Sequence, residues 1–163
     1  MAAHGYREVG QEYLQNVLDT AKQLDAYDSG RIYYYLGEYQ KAYLALDEAR
    51  DKGGADSYLY LGRAYAATGD YNYASSVYNN YLSKQGPNAE IYNELGLCEM
   101  AKKEYQNALA AFQAGKQIEG NSLMQTLCFN EIVAYEYLED YQQAEVLMNA
   151  YLQNYPDDQT AIR

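Results

Sequence analysis

The stretch that decides the fold runs Tyr58-Leu59-Tyr60-Leu61-Gly62-Arg63-Ala64-Tyr65 and continues, after the polar break Gly69-Asp70, with Tyr71-Asn72-Tyr73-Ala74. Its first part places side chains at i, i+3, i+4 and i+7, which is the spacing of one helix face: Tyr58, Leu61, Gly62 and Tyr65. A second stripe of the same kind follows the break: Tyr71, Ala74, Tyr78 and Tyr81. We therefore predict two helices joined by a tight turn. Gly62 and Ala74 are small where the stripes meet, so the two backbones can approach closely.

The same pattern recurs along the chain. Tyr-x-x-Ala quartets begin at intervals of 32, 34 and 36 residues, at Tyr39, Tyr71, Tyr105 and Tyr141. Nine residues before each of these tyrosines stands a small or apolar residue: Gly30, Gly62, Gly96 and Ile132. This period predicts four consecutive helix pairs near residues 23–54, 55–88, 89–122 and 125–158.

The pattern resembles the tetratricopeptide repeat, whose unit of about 34 residues places Trp or Tyr, Leu, Gly and Tyr in its first helix. The second helix of that family carries Ala, an aromatic residue, Ala and Pro. The third copy also matches, with Tyr92, Leu95, Gly96, Tyr105, Ala108 and Phe112. The resemblance implies an all-α fold, a right-handed α-solenoid of about four helix-turn-helix repeats plus an N-terminal helix. We expect helices near 55–68, 71–84, 88–102, 104–118 and 122–154, the last with a break close to Glu139.

The two ends fit the pattern less well. Tyr6-x-x-Val9-Gly10-x-x-Tyr13 looks like a first helix, but only 20 residues separate Gly10 from Gly30. Residues 1–22 are therefore expected to form an N-terminal helix or a vestigial repeat, and residues 159–163 the start of a truncated further helix. An apolar stripe on the last helix is wide: Tyr141, Ala144, Leu147, Met148, Tyr151, Leu152 and Tyr155. We expect either self-association through this C-terminal edge or a chain that continues past Arg163.

Charge and composition exclude several classes of protein. The chain carries 23 acidic and 12 basic residues, a net charge of −11, and lacks the clustered cations that nucleic acid needs. No window of 18 apolar residues predicts a membrane span. Residues 1–15 contain no apolar signal-peptide core, which favours the cytoplasm. An exported protein whose leader has been removed stays an open alternative.

No catalytic or metal-binding constellation is found in the sequence. The single histidine is His4, so nucleophilic triads have no base. No phosphate-binding glycine loop occurs, and no cofactor or metal is expected. Cys98 and Cys128 are interpreted as small buried hydrophobes, with a regulatory disulfide as the alternative.

Tyrosine is unusually frequent, with 22 copies against two Phe and no Trp. Fourteen tyrosines fall in repeat slots and are interpreted as structural, including Tyr13, Tyr71 and Tyr141. Eight lie outside these slots and are candidates for function: Tyr27, Tyr34, Tyr35, Tyr43, Tyr60, Tyr73, Tyr137 and Tyr155.

A second face of each first helix is predicted to line one concave wall. Its residues, in chain order, are Tyr27, Arg31, Tyr34 and Tyr35, then Leu59 and Arg63, then Asn93, Leu97 and Met100, then Phe129, Val133, Glu136 and Tyr137. The alternative is that these tyrosines only pack against the next helix and that the arginines pair with nearby acids.

The resemblance implies a non-catalytic scaffold that binds a peptide or partner protein on this concave face. The alternative is a structural or assembly subunit of a larger complex, for example in the cell envelope, that docks through helix edges. Some members of the family clamp a C-terminal carboxylate with Lys and Asn. This chain has Tyr27, Arg31 and Tyr60 at those positions, so binding of chaperone tails is not assigned.

Overall fold

The fold is all-helical in the computed structural model, which describes residues 2–20 and 24–158, with side chains for residues 8–19 and 24–158. These residues form nine α-helices and no strand: α1 (Ala2–Thr20), α2 (Ala26–Tyr35), α3 (Tyr39–Glu48), α4 (Ala55–Ala67), α5 (Tyr71–Gln85), α6 (Ala89–Ala101), α7 (Tyr105–Lys116), α8 (Met124–Tyr137) and α9 (Tyr141–Asn154). The expected all-α fold with an N-terminal helix is confirmed. The further helix expected at 159–163 lies outside the described residues.

The helices begin and end close to where the repeat pattern predicts. Each bound of α4 to α9 lies within two residues of its expected position. The predicted break near Glu139 is present between α8 and α9. None of the helices in the described part of the chain is long and apolar enough to cross a bilayer.

The chain divides into two compact units, residues 1–77 and residues 78–163. In the first unit α2 packs against α3, and α3 packs against α4. Its core consists of side chains that are almost fully buried, among them Ala42, Leu46, Tyr58 and Leu61. Gly30 lies directly against Leu46, so the small residue of α2 receives the large residue of α3.

In the second unit α7 packs against both α6 and α8, and α8 packs against α9. One core cluster contains Ala108, Phe112 and Leu127, and a second contains Ile132, Ala144 and Tyr151. Gly96 of α6 lies against the ring of Phe112, which repeats the small-against-large contact of the first unit.

The turn inside each helix pair uses one left-handed residue. Gly37 and Gly69 have φ of 80° and 87°, and Lys103 and Glu139 have φ of 64° and 63° at the equivalent positions. The amide of the following residue donates to a carbonyl five residues back, as from Asp70 to Tyr65 at 3.0 Å. This is the Schellman arrangement, which satisfies the carbonyls at a helix end and favours glycine.

Acidic and amide side chains cap the helices that follow. Asp25, Asp70, Asn88 and Asp140 each accept a hydrogen bond from the amide three residues later, at 2.8 to 3.2 Å. Such caps satisfy amides that a helix leaves without a backbone partner. They fix where α2, α5, α6 and α9 begin.

Three tyrosines interpreted as structural are in fact exposed, which corrects that interpretation. Tyr13, Tyr71 and Tyr141 are 67%, 37% and 64% exposed. Tyr71 and Tyr141 are the first residues of α5 and α9. Because helical side chains lean towards the N-terminus, a side chain at the first position projects beyond the helix pair.

We predict that Gly96→Ala destabilises the protein by about 1–3 kcal/mol, because the added methyl group overlaps the ring of Phe112 in a filled core. Gly10→Ala is the matched control, since the space around this exposed helical glycine is open. That control should gain about 0.5–1 kcal/mol. Urea unfolding followed by circular dichroism measures both. Equal shifts in the two variants would contradict the close contact.

We predict that Glu139→Gly stabilises the protein by about 1 kcal/mol, because glycine adopts the left-handed conformation without the steric cost that glutamate bears. Glu145→Gly, in the exposed interior of α9, is the control and should lose about 1 kcal/mol. Thermal unfolding of the two variants compares them directly. A loss of stability for Glu139→Gly would show that this residue has a side-chain role.

Candidate functional site

A surface cavity of about 420 Å³ lies between α6 and α8 in the second unit. It contains four of the residues that the sequence assigns to the concave wall: Leu97, Met100, Val133 and Tyr137. Leu97 is 42% exposed and Tyr137 is 58% exposed, so large apolar surfaces face the solvent here. The sequence pattern therefore identifies the apolar part of this cavity.

Side chains from α7 and its preceding turn complete the cavity. Tyr105 stacks on Tyr137, with ring centroids 5.1 Å apart and planes inclined by 27°. Phe112 lies in the lining, and the exposed Lys103 adds a cation. The cavity therefore combines an apolar lining, a rigid aromatic pair and one positive charge.

Asn130 supplies the polar group of the lining. Its Nδ2 donates to Oδ1 of Asn93 at 2.8 Å, across the contact between α6 and α8. Asn93 itself is buried, with 9% of its surface exposed. Asn93 therefore lies beneath the lining, where its hydrogen bond holds the side chain of Asn130. This corrects the assignment of Asn93 as a residue that contacts a ligand.

Three further wall residues differ from expectation. Leu59 is only 3% exposed, because it belongs to the core, and this corrects its assignment as a contact residue. Phe129 is half-buried and packs on Tyr151, with ring centroids 5.8 Å apart, so it serves the contact of α8 with α9. Glu136 is exposed and lies outside the lining of the cavity.

In the first unit the predicted wall residues form a tyrosine cluster around Arg31. The guanidinium carbon of Arg31 lies 5.2 Å from the ring centre of Tyr27 and 5.5 Å from that of Tyr60. Tyr35 and Tyr60 share a hydrogen bond of 2.7 Å between their hydroxyls. Tyr34 makes an edge contact with Tyr60 at 5.5 Å. Arg31 is thus held by aromatic rings, which distinguishes it from an arginine that pairs with acids.

The pKa values of this cluster follow from its contacts. The hydrogen bond with Tyr60 raises the pKa of Tyr35, and burial adds to the rise. Burial also raises the pKa of Tyr27, although the charge of Arg31 opposes this. The hydrogen bond with Tyr60 raises the pKa of Arg31. All three groups keep their ordinary charge states at neutral pH.

These contacts partly support the alternative in which the tyrosines pack against the next helix and do not bind a ligand. Tyr34 and Tyr35 of α2 contact Tyr60 of α4, so they help to hold neighbouring repeats together. Tyr35 is nevertheless 52% exposed, so about half of its surface remains accessible. Arg63, at the same slot as Arg31 in the next repeat, is half-buried.

Two of the eight tyrosines outside the repeat slots have a structural role. Tyr43 stacks on Tyr65 at 4.2 Å with planes inclined by 10°, and Tyr65 contacts Tyr73 at 4.3 Å. Burial, and then the neighbouring Tyr73, raises the pKa of Tyr65 to about 12. Tyr43 and Tyr73 therefore extend the core outwards through Tyr65.

One repeat slot that makes contacts in both units is absent from the predicted wall. Tyr60 and Asn130 each stand two residues before the small-residue position, at Gly62 and Ile132, and each contacts the first helix of the preceding repeat. The sequence does contain a signal for this slot, because Tyr60 is one of the eight tyrosines that lie outside the repeat slots. The pattern of one helix pair alone does not reveal a contact between repeats.

Cys98 is buried as the sequence indicates, whereas Cys128 is less buried than expected. Cys98 is 5% exposed, Cys128 is half-buried, and both are free thiols. Burial raises the pKa of Cys98 to about 12 and also raises that of Cys128, so neither is a reactive thiolate at neutral pH. Among the described side chains, no group of three His, Cys, Asp or Glu residues could hold a metal ion.

A second cavity, of about 290 Å³, lies between α8 and α9. It contains the ion pair of Lys116 Nζ with Glu131 Oε1, 2.8 Å apart, beside Leu147 and Tyr155. Burial lowers the pKa of Lys116 and the hydrogen bond to Glu131 raises it, with a net rise. On the same helix α9, Tyr141 and Val146 are exposed. Self-association through this edge stays a prediction.

We predict that Arg31 and Tyr60 are energetically coupled by about 0.5–2 kcal/mol, the range of a cation–π contact. A double-mutant cycle of Arg31→Gln and Tyr60→Leu, measured by urea unfolding, gives this coupling. The pair Lys52→Gln and Tyr60→Leu is the control, because the exposed Lys52 lies outside the cluster. Additive losses for Arg31 and Tyr60 would contradict the contact.

Several solved structures share this fold. A MamA structure of strain AMB-1 shares 21% identity and a TM-score of 0.67, with 94% of this chain and 78% of that one covered. MamA from residue 41 onwards, of Desulfovibrio magneticus RS-1, shares 17% identity and a TM-score of 0.72, covering 96% and 90%. YrrB, described as a TPR protein with an unusual peptide-binding site, shares 18% identity and a TM-score of 0.71, covering 99% and 84%. No curated protein matches the sequence significantly.

The family profile described as Tetratricopeptide repeat matches residues 27–72 and 61–121, more than half of the chain. These ranges contain the Gly30, Gly62 and Gly96 slots and the tyrosines that follow them. The chain belongs to the tetratricopeptide repeat family.

Proposed function

We propose that the protein is a non-catalytic scaffold that binds a peptide segment of a partner protein, with an apolar side chain of that segment seated between α6 and α8. The cavity of about 420 Å³ carries this proposal. Its size lies within the range of small-ligand pockets, which are lined mainly by apolar and aromatic side chains with a few polar groups.

The lining is suited to anchor an apolar residue. Leu97, Met100 and Val133 offer aliphatic surface, and the stacked pair of Tyr105 and Tyr137 forms a rigid wall. Rigid aromatic residues dominate the energetics of protein interfaces, because they bury large surfaces with little loss of side-chain entropy. An amphipathic peptide helix inserts anchors of this kind into grooves between helices.

Polar groups beside the apolar lining would orient the bound segment. Asn130 is held in place by Asn93 and can pair with a backbone amide or carbonyl of the ligand. Lys103 is exposed at the end of α6 and can pair with a carboxylate. We propose an apolar anchor next to an acidic residue as the recognised feature.

The first unit offers a second contact surface for the same class of partner. Arg31 is positioned by two tyrosine rings, and the neighbouring Tyr35 is half exposed. Arginine and tyrosine are enriched among the residues that contribute most to binding. We propose that Arg31, with Arg63 at the same slot of the next repeat, faces carboxylates of the partner.

The family and the neighbours support this function. Stacked helical repeats create extended binding surfaces. YrrB is described as having a peptide-binding site, and the present chain has the same fold. We propose that this chain also acts by binding, while the residues that do so are its own.

The second candidate is a structural subunit that docks through α9. Its exposed Tyr141 and Val146 favour this alternative. Sedimentation at increasing concentration distinguishes the two. A scaffold stays monomeric and captures peptides, and a docking subunit associates through α9 in a way that Val146→Ser weakens.

We predict that Leu97→Ser weakens peptide binding at least tenfold. Peptides selected from a displayed random library on the wild-type protein serve as ligands, and calorimetry measures their affinity. Full burial of a leucine contributes about 1.5–3 kcal/mol, and about 1.4 kcal/mol corresponds to a factor of ten. Leu44→Ser is the control, because Leu44 is 68% exposed and belongs to the other unit.

Selected peptides should share an apolar residue with an acidic neighbour. If they bind Leu97→Ser as tightly as wild type while thermal unfolding shows both variants folded, then the cavity between α6 and α8 is not the binding site.

A further inference from the structure

A third cavity, of about 350 Å³, lies on the opposite side of α6. At about 100° per residue, its α6 residues Tyr92, Leu95 and Glu99 point roughly 140° away from Leu97 and Met100. Asn79 of α5 and Asn107, Ala110 and Ala111 of α7 complete the lining. This cavity is therefore separate from the proposed peptide site.

Glu99 interrupts the repeat pattern at this cavity. The other three copies carry tyrosine at its slot: Tyr33, Tyr65 and Tyr135. A carboxylate here does not follow from packing, since an aromatic ring fills the slot elsewhere. Glutamate in place of tyrosine introduces a negative charge at a position where packing requires only a large side chain.

The Glu99 carboxylate is buried and only half satisfied. The residue is 6% exposed, and its Oε1 accepts a hydrogen bond from Lys102 Nζ at 3.2 Å. Its buried Oε2 accepts no hydrogen bond from any described protein group. A buried carboxylate oxygen without a donor costs free energy, so it favours any donor that can enter the cavity.

The other lining residues fit a guanidinium better than a bare ammonium. Asn79 and Asn107 offer amide oxygens as further acceptors, and a guanidinium carries five N–H donors in one plane. Leu95, Ala110 and Ala111 offer apolar surface for the methylenes of an arginine side chain, and Tyr92 offers an aromatic ring. Guanidinium is also more weakly hydrated than ammonium, so it enters a partly buried site at lower cost.

We propose that this cavity binds an arginine side chain of a partner protein, with Glu99 Oε2 as the acceptor of its charged hydrogen bond. Glu99 lines the cavity and its Oε1 is already paired with Lys102, so Oε2 is the oxygen left for a donor that enters there. The net charge of −11 attracts a basic partner over longer distances. The site is independent of the cavity between α6 and α8, so either can fail without the other.

The test uses three small probes on the full chain, derived from arginine, citrulline and lysine. N-acetyl-arginine-methylamide is titrated into isotope-labelled protein, and amide shifts are followed by NMR. The citrulline analogue is the matched probe, because it has the same shape without the charge. We expect saturable shifts in the side-chain amides of Asn79 and Asn107 with the arginine probe only.

Two substitutions of Glu99 test whether its negative charge binds the arginine probe. Glu99→Gln should weaken the arginine probe about tenfold, since a hydrogen bond to a charged group is lost. Glu99→Tyr restores the residue type of the other copies, keeps the fold by filling the slot, and should abolish the shifts. Glu145→Gln removes one exposed carboxylate of α9 and should leave binding unchanged.

Three outcomes overturn the proposal. Equal binding of the citrulline probe would show that charge is not recognised, and equal binding of N-acetyl-lysine-methylamide would show that the site does not select guanidinium. Unchanged affinity in Glu99→Gln, with its melting temperature at or above that of wild type, would remove Glu99 from the site. Peptide binding between α6 and α8 serves as the independent readout and should persist in both Glu99 variants.

Discussion

The contact of a small residue in the first helix with a large residue in the second is the constraint on which the rest of the structure depends. Gly30 lies against Leu46 and Gly96 against Phe112, so close that a Cβ at either glycine would overlap its partner. The partner stands four residues after a fully buried alanine, Ala42 or Ala108. Two small residues thus allow the backbones to approach, and one large side chain fills the remaining space. Because these two helix pairs are held together by this contact, their outer faces are free to vary.

The features that the sequence predicts well are those that recur with the period of the repeat. The bounds of α4 to α9, the burial of Ala74 and Ala108, and the break at Glu139 all follow from periodic positions. Predictions fail where a side chain depends on a different helix pair. Tyr60 and Asn130 reach the preceding repeat, and Leu59 is buried although the helix pattern alone places it on an outer face. Helical periodicity reports direction around one axis and does not report how neighbouring pairs cover each other.

The surfaces proposed for binding are places where the chain departs from its own pattern. Lys103 takes a left-handed turn position that glycine holds at Gly37 and Gly69, and its side chain lies at the cavity between α6 and α8. Glu99 takes a tyrosine slot and leaves a carboxylate oxygen without a donor. Both departures carry a steric or electrostatic cost that the fold does not require. At Glu99 this cost falls on a group that lines a cavity, where a donor from a bound ligand would satisfy the oxygen.

The abundance of tyrosine follows from the same geometry. A pair of short helices has a thin core, so the far end of a large ring reaches the surface or a neighbouring helix. A phenol suits this position, because its ring is apolar and its hydroxyl finds a partner. The Tyr58 ring is 1% exposed, yet its hydroxyl donates to Asp51 at 2.6 Å. Tyr151 likewise packs on Phe129 and accepts a hydrogen bond from Gln125 at 3.2 Å. Phenylalanine stands at Phe112, whose ring is fully buried among side chains of α7 and α8 such as Leu109 and Leu127, so this position needs no polar end that reaches the surface.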